Sequence, residues 1–565
     1  MDCNTTVNIG AQRFDKVIEE HRFYIDKTTF IKEWWENGSD VTLITRPRRF
    51  GKTLNINMLE CFFSNQYAER GDLFEGLSIW EEPYRQLQGT FPVISMSFAP
   101  IKTGAIAAMK AEIKQMIVNI YSSYKEIMKS AVFDSHDRAV FDAVDRKMDD
   151  ATAYMAIHNL CIYLSRYYKK DVIILLDEYD TPMQESWLAG TWDETVDFFR
   201  QFFNYTFKTN PCLCRGIITG ITRISKESIF SDLNNLDVIT TTSDKYATSF
   251  GFTQEEVFAA LDATGYGSEK ENVKKWYDGF TFGSSKEIYN PWSITSFIAN
   301  KGKYRTYWVN TSTNRLINSL IQSGTATVKQ HMEELLQGKN LVAELDEQII
   351  FDQLYSSTNA VWSLLLATGY LKVTQLSYIG GYQKMQYTLA LTNMEVVIMF
   401  ETMIKEWFGQ DTEVYYNEFI KALLNGNVRK MNTFMNKVAL YTFSSFDSGT
   451  KPSASAEPER FYHGFVLGMV VSLADTYQIR SNRESGYGRY DVMMKPRDRH
   501  GKAFIFEFKV IDPDEDERTL EDTLANAHLQ IEEKQYEAEL IAEGFLPGQI
   551  YKYGFAFRGK ECLIG

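Results

Sequence analysis

The chain has 565 residues, of which 44% are hydrophobic and 14% aromatic, and this composition excludes a largely disordered protein. The length predicts two to four domains, and no apolar run is long enough to span a bilayer. The net charge of −14 excludes a protein coated in basic surface, so nucleic-acid binding would need a local patch. The six cysteines lack paired CxxC spacing, which argues against a zinc site or a disulfide framework and favours a reducing cytoplasm.

Residues 14–35 predict two helices with a turn between them. Asp26 or Thr28 is the expected N-cap of the second helix, because short polar side chains accept hydrogen bonds from the first N–H groups of a helix. Direct contact of these residues with a nucleotide is the alternative.

Residues 41–63 predict a strand, a loop and a helix, in that order. The strand is a β-branched run, and the loop after it carries Gly51, Lys52 and Thr53. This order is typical of a phosphate-binding loop, in which N–H groups at the helix start and the lysine bind phosphate while the threonine hydroxyl ligates Mg²⁺. The predicted ATP-binding residues here are Arg46, Pro47, Arg48, Arg49, Phe50, Gly51, Lys52, Thr53 and Leu54.

The loop departs from the general pattern G-x-x-x-x-G-K-[ST] at its first glycine, where this chain has Arg46. Without that glycine the loop loses a residue that tolerates positive φ, so its turn must differ from the usual one. Arg48 and Arg49 add to a cationic lining. The alternative is a basic surface turn that caps a helix.

Residues 171–180, DVIILLDEYD, predict a strand buried on both faces of a parallel sheet. Asp177 and Glu178 stand at its carboxyl end, the edge at which α/β sheets bind ligands. Asp177 would hold Mg²⁺, and Glu178 would orient or deprotonate the attacking water. A solvated acidic strand end is the alternative. Residues 91–98 predict another strand, and residues 105–124 and 151–168 predict helices.

Residues 214–223 predict a further buried strand, which follows a helix at residues 192–208. Thr219 at the strand tip could sense the terminal phosphate, and Arg223 could neutralise transition-state charge, in cis or from another subunit. A surface ion pair is the alternative for Arg223. Alternating strands and helices predict an α/β fold over residues 1–250, a P-loop NTPase parallel sheet with helices on both faces.

Residues 251–443 are predicted to form a helical middle domain. The aromatic residues between positions 276 and 293 are expected in the core rather than on a ligand. Residues 371–376 and 386–391 predict a hairpin around a Gly-Gly pair, which makes this region a winged-helix-like lid that could close on nucleotide or touch nucleic acid. Residues 444–458, rich in Ser, Gly, Pro and Ala, predict a linker.

The last predicted domain, residues 459–565, has an α/β restriction-endonuclease-like pattern. A strand that contains Asp491 precedes strand 503–510, which places Glu507 and Lys509 on one face and three phenylalanines on the other. Charged residues on an apolar strand are costly to bury unless they share a polar site. Asp491 and Glu507 could bind Mg²⁺ or Mn²⁺, and Lys509 could stabilise the charge that develops in phosphodiester cleavage. A salt bridge on an exposed sheet face is the alternative.

Charge is unevenly distributed around this predicted site. Residues 480–509 hold eight Lys or Arg against four Asp or Glu, a local charge of +4 that could face phosphates. Residues 512–517, DPDEDE, predict a solvated acidic loop away from nucleic acid.

Several motifs together resemble those of the bacterial AAA-ATPase-like proteins that are abundant in gut Bacteroides and related anaerobes. They are ITRPRRFGKTL, LLDEYDTPM, WYDGF with YNPWS, WSLLLATGYL and SNRESGYGRYD. The resemblance implies ATP binding, an arginine at the first loop glycine as at Arg46, and a C-terminal PD-(D/E)XK nuclease-like domain. It also implies that Glu459 is an additional acidic residue of the nuclease site and that Gln530 supports that site.

The leading hypothesis is an ATP-dependent, metal-dependent nuclease acting on DNA or RNA, because two metal–phosphate sites are predicted in one chain. The alternative is a nucleotide-gated switch with slow or absent turnover, whose nuclease-like domain binds a ligand without cleaving it. An interaction scaffold with two vestigial sites is least favoured, since GKT, DE and D…ExK are all present. ATP and nucleic acid are the expected partners, a membrane is not, and a homo-oligomer is compatible with the sequence.

Overall fold

A computed structural model describes residues 7, 9–223, 229–230, 233–308, 314–322, 324–345, 354, 357–380, 383–407, 410–446, 457–485, 488–511 and 517–565. Side chains at residues 314–315, 326, 410–413, 440–446, 457–463 and 482–490 lie outside that description. Among the described residues, none of the helices combines the length and the apolar character needed to cross a membrane.

The helices and strands are numbered along the chain. The helices are α1 Phe14–Glu19, α2 Thr29–Asn37, α3 Lys52–Phe63, α4 Ile106–Ser123, α5 Ser135–Asp142, α6 Asp150–Tyr168, α7 Thr181–Ala189, α8 Trp192–Phe203, α9 Gln254–Ala263, α10 Lys270–Tyr277, α11 Pro291–Ala299, α12 Asn314–Gln322, α13 Ala326–Leu336, α14 Thr358–Ala367, α15 Met394–Trp407, α16 Gln410–Asn425, α17 Val428–Phe446, α18 Glu457–Leu473, α19 Leu520–Glu533 and α20 Ala538–Ala542. The strands are β1 Val41–Thr45, β2 Val93–Ser97, β3 Val172–Asp177, β4 Leu213–Gly220, β5 Leu236–Ile239, β6 Phe252–Thr253, β7 Phe280–Phe282, β8 Ser285–Tyr289, β9 Leu341–Ala343, β10 Leu371–Ile379, β11 Lys384–Leu391, β12 Tyr477–Ser485, β13 Gly488–Pro496, β14 Ala503–Val510, β15 Ile550–Arg558 and β16 Glu561–Ile564.

The chain divides into two compact units. The first comprises Met1–Asn310, Ala343–Tyr387 and Thr392–Glu395, and the second comprises Thr311–Val342, Thr388–Leu391 and Val396–Gly565. The segment 251–443, predicted as one middle domain, therefore contributes to both units. α17 ends at Phe446 and α18 begins at Glu457, so both ends of the predicted linker 444–458 are helical, and residues 447–456 between them lie outside the described residues.

The first unit is built on a five-stranded parallel sheet with the order β2-β3-β4-β1-β5. Every residue of β1 and β3 is buried, as expected for apolar strands that are covered on both faces. β4 lies between β1 and β3, with Thr45 opposite Gly220 and Leu176 opposite Ile218. The carboxyl ends of these three strands therefore meet at one edge of the sheet, and the predicted α/β fold is confirmed.

Three segments show how the predicted local structure compares with the observed one. The helix predicted at residues 192–208 ends at Phe203 and continues as a π-helical turn. The aromatic segment 276–293 contains β7 and β8, which form a small antiparallel sheet with β6. These strands are short and carry few β-branched residues, so no alternating pattern marked them. The predicted hairpin is confirmed as β10 and β11.

The second unit contains a five-stranded sheet with the order β12-β13-β14-β15-β16, in which only β14 and β15 run parallel among the described pairs. β14 has the two faces that its alternation predicts. Phe504 stacks on Tyr553 of β15 and Phe508 stacks on Phe555, whose ring centroid lies 4.6 Å from that of Phe508. On the other face, Ile505 packs into an apolar cluster with Ile531 of α19.

α17 covers the edge of this sheet with two asparagine side chains. Asn432 donates to the carbonyl of Ile564 at 2.7 Å and accepts from its N–H at 2.8 Å. Asn436 pairs in the same way with Cys562, at 2.7 and 2.9 Å. The amides thus satisfy β16 as a neighbouring strand would. α17, predicted as part of the middle domain, therefore packs as part of the C-terminal sheet.

Candidate nucleotide and nuclease sites

The loop between β1 and α3 has the backbone of a phosphate-binding turn. Gly51 has φ 81° and Arg49 has φ 68°, both in the left-handed region. α3 begins at Lys52, so its unpaired first N–H groups face the loop. Glu178, the residue after β3, also has a positive φ, of 51°, a conformation that is costly outside glycine and that clusters at functional sites. Thr181 donates a hydrogen bond to its carboxylate at 3.3 Å.

Asp177 lies between two hydroxyl groups at the end of β3. Thr53 Oγ1 donates to Asp177 Oδ2 at 2.6 Å, and Thr219 Oγ1 donates to Asp177 Oδ1 at 2.5 Å. Asp177 is buried, which raises the pKa of its carboxyl, and the two hydroxyls oppose that rise. Residues from three separate segments of the sequence therefore converge on one carboxylate. Thr219 contacts this carboxylate, so any contact with a terminal phosphate stays a prediction.

Lys52 folds back onto its own loop. Its ammonium donates to the carbonyls of Arg46 at 3.0 Å and Pro47 at 2.9 Å. Burial lowers the pKa of Lys52, and the charges of three nearby carboxylates, Glu178 foremost, oppose that shift. A phosphate that binds Lys52 must replace these two carbonyls.

The Arg46 side chain does not lie on the phosphate loop, where the sequence predicted it. It is fully buried, and Nη1 donates to the carbonyls of Thr45 at 2.9 Å and Thr240 at 2.6 Å. Nη2 donates to two further carbonyls of the segment after β5, and the guanidinium lies 4.6 Å from the centre of the Phe282 ring. The guanidinium therefore does not line the phosphate loop, because its two terminal nitrogens donate to carbonyls of Thr45 and of that segment.

The YNPWS motif packs against the loop. The Asn290 side-chain amide donates to the carbonyl of Arg48 at 3.2 Å, and its oxygen accepts from the N–H of Trp292 at 2.9 Å. The Arg49 guanidinium lies 3.9 Å from the centre of the Trp292 ring. The interpretation of these aromatics as core residues is therefore incomplete, since Trp292 touches a predicted ligand-binding residue.

Three other predicted loop residues are packing residues. Phe50 is buried, with its ring centroid 4.7 Å from that of Phe280. Pro47 lies against Gly369, where an added Cβ would come within 3.0 Å of the proline ring. Leu54 packs on the apolar core beneath the sheet. These side chains hold the loop in place, and their main chain is what a nucleotide would meet.

Tyr179 and Asp180, which the sequence reasoning missed, fix the turn after β4. Asp180 Oδ2 accepts from the N–H groups of Ile221 at 3.0 Å and Thr222 at 2.9 Å. The Tyr179 hydroxyl donates to the carbonyl of Thr222 at 2.8 Å. Both residues are almost fully buried, and Arg223 follows this turn directly. The second aspartate of the DEYD motif is Asp180, and its presence was the signal in the sequence that could have identified this residue.

The residues at this edge of the sheet fit a magnesium nucleotide. A hydroxyl and a carboxylate, from Thr53 and Asp177, meet where a hard cation would be bound, and Lys52 and the α3 N–H groups stand beside them. Glu178 adds a second carboxylate at the end of the same strand.

Asp491 and Glu507 lie side by side on β13 and β14, as the antiparallel register requires. Asp491 Oδ2 accepts from the N–H of Phe508 at 2.8 Å. Gln530 of α19 donates to Glu507 Oε1 and also to the hydroxyl of Tyr536, at 2.9 Å for the latter. The structure therefore brings together Asp491, Glu507 and Gln530, as the sequence predicted.

The Glu507 carboxylate is buried and incompletely paired. It is 3% exposed, and within the described part of the chain its Oε2 has no hydrogen-bond partner. Burial raises the pKa of both the Asp491 and the Glu507 carboxyl, and the charge of Lys509 on the same strand face opposes the rise. An orphaned carboxylate oxygen beside a second carboxylate fits a divalent cation. The described residues hold no cluster of three or more His, Cys, Asp or Glu for a metal, so this pair would be the acidic donor set.

Two predictions around this site lie partly or wholly outside the described residues. Glu459 is in α18, but its side chain is not among those described, so its role stays a prediction. Residues 512–516 of the predicted acidic loop are likewise outside. Glu517, the last residue of that run, is buried and accepts from Thr523 at 2.6 Å and Asn526 at 2.7 Å. It anchors the start of α19 and is not solvated as predicted.

The cationic patch is weaker than the sequence count suggests. Arg480 forms an ion pair with Glu539, and Lys495 forms one with Glu543 at 2.7 Å. Acidic residues in and just after α20 thus neutralise part of the predicted +4 charge. A count along the sequence could not include them, because they come from a later segment.

Comparisons with known proteins identify similar domains in both halves of the chain. Residues 8–230 match the family model described as "Predicted AAA-ATPase", and residues 457–565 match the PD-(D/E)XK nuclease superfamily. The chain is 25% identical over 515 residues to an "uncharacterized protein in vnfD 5′ region" of Azotobacter chroococcum mcd 1, covering 89% of each chain. An alignment with a Walker-type ATPase structure of Pyrococcus abyssi covers 70% of this chain and 98% of that one, at 13% identity and a TM-score of 0.33, which is too low to support an argument. The chain therefore carries an AAA-ATPase-like domain and a C-terminal PD-(D/E)XK nuclease-superfamily domain.

Proposed function

We propose that the chain is an ATP-binding, metal-dependent nuclease, in which MgATP in the first unit regulates or drives cleavage of DNA or RNA by the second. The observation that carries this proposal is the Asp491–Glu507 pair, in which the buried Glu507 carboxylate is short of one donor among the described residues, with Lys509 on the same strand face. The AAA-ATPase-like domain in the same chain supplies the nucleotide-dependent half. The reducing cytoplasm is the proposed compartment, in keeping with the free thiols of the described cysteines.

At the nuclease site, each residue has a separate task. A divalent cation held by Asp491 and Glu507 would polarise the scissile phosphate and lower the pKa of a bound water. Gln530 keeps the Glu507 carboxylate oriented through its amide, and the N–H of Phe508 does the same for Asp491. The Lys509 ammonium stabilises the negative charge that grows on the phosphate oxygens.

At the nucleotide site, Lys52 exchanges its loop carbonyls for phosphate oxygens, and Thr53 and Asp177 would hold Mg²⁺. Glu178 orients the attacking water from the end of β3. Arg223, beyond the turn that Asp180 fixes, would neutralise charge on the transferred phosphoryl group.

The test is cleavage of single- and double-stranded DNA and RNA with Mg²⁺ or Mn²⁺, with and without ATP. We expect Lys509→Ala to abolish cleavage and Lys52→Ala to alter its dependence on ATP. Lys560→Ala, which removes an exposed lysine of the same domain outside residues 480–509, is the matched control and should cleave normally. Cleavage that survives Lys509→Ala unchanged would refute the site assignment.

The neutralised cations favour a second candidate, a nucleotide-gated switch whose nuclease-like domain binds a ligand without cutting it. Arg480 and Lys495 are engaged by acidic residues, which leaves less positive charge for a nucleic-acid backbone. ATP that binds but turns over negligibly, at a rate unchanged by Glu178→Gln, would establish the switch. A turnover that Glu178→Gln reduces would reject it.

A further inference from the structure

Arg49 stands out among the loop residues because it is charged and exposed and its guanidinium lies over an aromatic ring. It has φ 68°, and its guanidinium lies 3.9 Å from the centre of the Trp292 ring. The side chain is exposed to solvent, so the contact is of the weak surface kind of cation–π interaction. Arg49 also feels the charge of Glu178, which places it near the residue proposed to orient water.

Trp292, by contrast, is fixed from several sides. Its N–H donates to the side chain of Asn290 at 2.9 Å, and its indole N–H donates to the carbonyl of Tyr307 at 3.1 Å. Gly10 packs directly against the ring, since an added Cβ there would lie 2.5 Å from it. The ring is therefore a stationary platform, and the arginine is the partner that can leave.

The same motif controls the loop backbone next to Arg49. Asn290 is fully buried, and its amide joins the start of α11 to the carbonyl of Arg48. One side chain thus couples the aromatic segment to the predicted phosphate loop. The YNPWS segment accordingly has a role beside the nucleotide, which its composition did not indicate.

We propose that Arg49 is a sensor of the terminal phosphate of ATP that rests on Trp292 when the site is empty. The inference rests on the proposed nucleotide site. It gives Arg49 two partners, the Trp292 ring without ATP and the terminal phosphate with ATP. A planar guanidinium binds phosphate oxygens through paired, charge-assisted hydrogen bonds, which are stronger than an exposed cation–π contact. The position of Arg49 near Glu178 selects the terminal phosphate, because the water that Glu178 is proposed to orient attacks that group.

The experiment follows tryptophan emission and nucleotide binding separately in the full chain. A fluorescent ADP or ATP analogue reports binding, and intrinsic emission reports Trp292 once the signal of Trp292→Phe is subtracted from that of the parent. We expect a non-hydrolysable ATP analogue with Mg²⁺ to change the Trp292 emission and ADP to leave it nearly unchanged. Arg49→Ala should abolish the change and reduce the preference for ATP over ADP about tenfold.

Arg215→Ala is the matched control, because Arg215 makes a similar contact, 4.4 Å from the centre of the Trp35 ring, away from the loop. It should retain both the emission change and the ATP preference. Nucleotide binding by the parent with no Trp292-dependent change, or an unaltered preference in Arg49→Ala, would overturn the sensor and leave the proposed ATP site standing. Absence of nucleotide binding by the folded parent would overturn both. If Trp292→Phe does not fold, the ATP preference of Arg49→Ala against Arg215→Ala decides the question.

Discussion

At the nucleotide site, Asp177 accepts from two hydroxyls and Lys52 donates to two carbonyls, whereas at the nuclease site Glu507 has one oxygen with a donor and, among the described residues, one without. These groups of the first site are hydrogen-bonded within the protein, so a nucleotide must replace existing hydrogen bonds. The second keeps an unsatisfied buried carboxylate beside Asp491, and a cation would complete it.

This difference predicts different ligand responses. A nucleotide that binds the first site exchanges one set of hydrogen bonds for another. The polar groups of that site therefore cost the fold little stability, and nucleotide binding adds correspondingly little to the free energy of unfolding. A cation that pairs with the buried carboxylate removes the free-energy cost of burying it without a partner. Metal binding should therefore stabilise the second unit strongly. The predictions below test whether the two sites differ in this way.

The largest effect is expected for Glu507→Gln. Cleavage should fall about 1,000-fold, because the variant removes a metal-binding carboxylate. Without metal, its free energy of unfolding at neutral pH should exceed that of the parent by about 1–2 kcal/mol, since a neutral amide avoids the cost of burying a carboxyl that is ionised in the unfolded chain. Denaturant titration in EDTA measures this difference. A Glu507→Gln chain less stable than the parent in EDTA would show that the charge is fully compensated.

Arg46→Met should lower the free energy of unfolding of the first unit by about 3 kcal/mol. The substitution removes the guanidinium hydrogen bonds to the buried carbonyls of Thr45 and Thr240, although the Thr240 carbonyl still accepts from the N–H of Ser243 at 3.2 Å. Urea unfolding of the first unit measures the change. Arg215→Met, which removes a partly exposed arginine from the same sheet, should cost less than about 1 kcal/mol and serves as the control. Equal losses for both variants would contradict the structural role of Arg46.

Asp177→Asn should weaken ATP binding about 30-fold in the presence of Mg²⁺ and much less in EDTA. The reason is that the amide can still accept one hydroxyl hydrogen bond but is a poorer ligand for a hard cation. Calorimetric titration under both conditions checks the prediction. The same loss in EDTA as in Mg²⁺ would mean that Asp177 only supports the fold.

The smallest effect, about 1 kcal/mol, is expected in the pH dependence of stabilisation by Mg²⁺. The pKa values of Asp491 and Glu507 are raised in the folded chain, so above about pH 4 the unfolded state releases protons that the folded state keeps. Without metal, stability from this pair therefore falls as the pH rises towards the folded pKa values. Mg²⁺ binds the ionised pair, and its thermal shift should grow over the same range.

Thermal melts at pH 5 and pH 8, with and without Mg²⁺, measure this growth. Glu507→Gln is the control and should flatten it. A Mg²⁺ shift of equal size at both pH values would show that the pair is already ionised without metal.

The sequence alone predicted the elements whose signal is local. The buried run before Asp177, the glycine and lysine at the start of α3, and the alternation around Glu507 each lie within about ten residues of sequence. Strand ends in a parallel sheet fall at one edge, so the meeting of Thr53 with Asp177 also followed from the order of elements.

Only the tertiary structure decided the partners that come from distant segments. Arg46 is a buried donor because the fold brings the carbonyl of Thr240, far along the chain, within 2.6 Å of its guanidinium. Arg49 contacts Trp292, and Arg480 forms an ion pair with Glu539. In each pair the residues are so far apart in sequence that no periodic pattern could predict the contact. Charge and spacing determine which groups a chain carries, but the burial and pairing of those groups depend on the packing of segments that are remote in sequence.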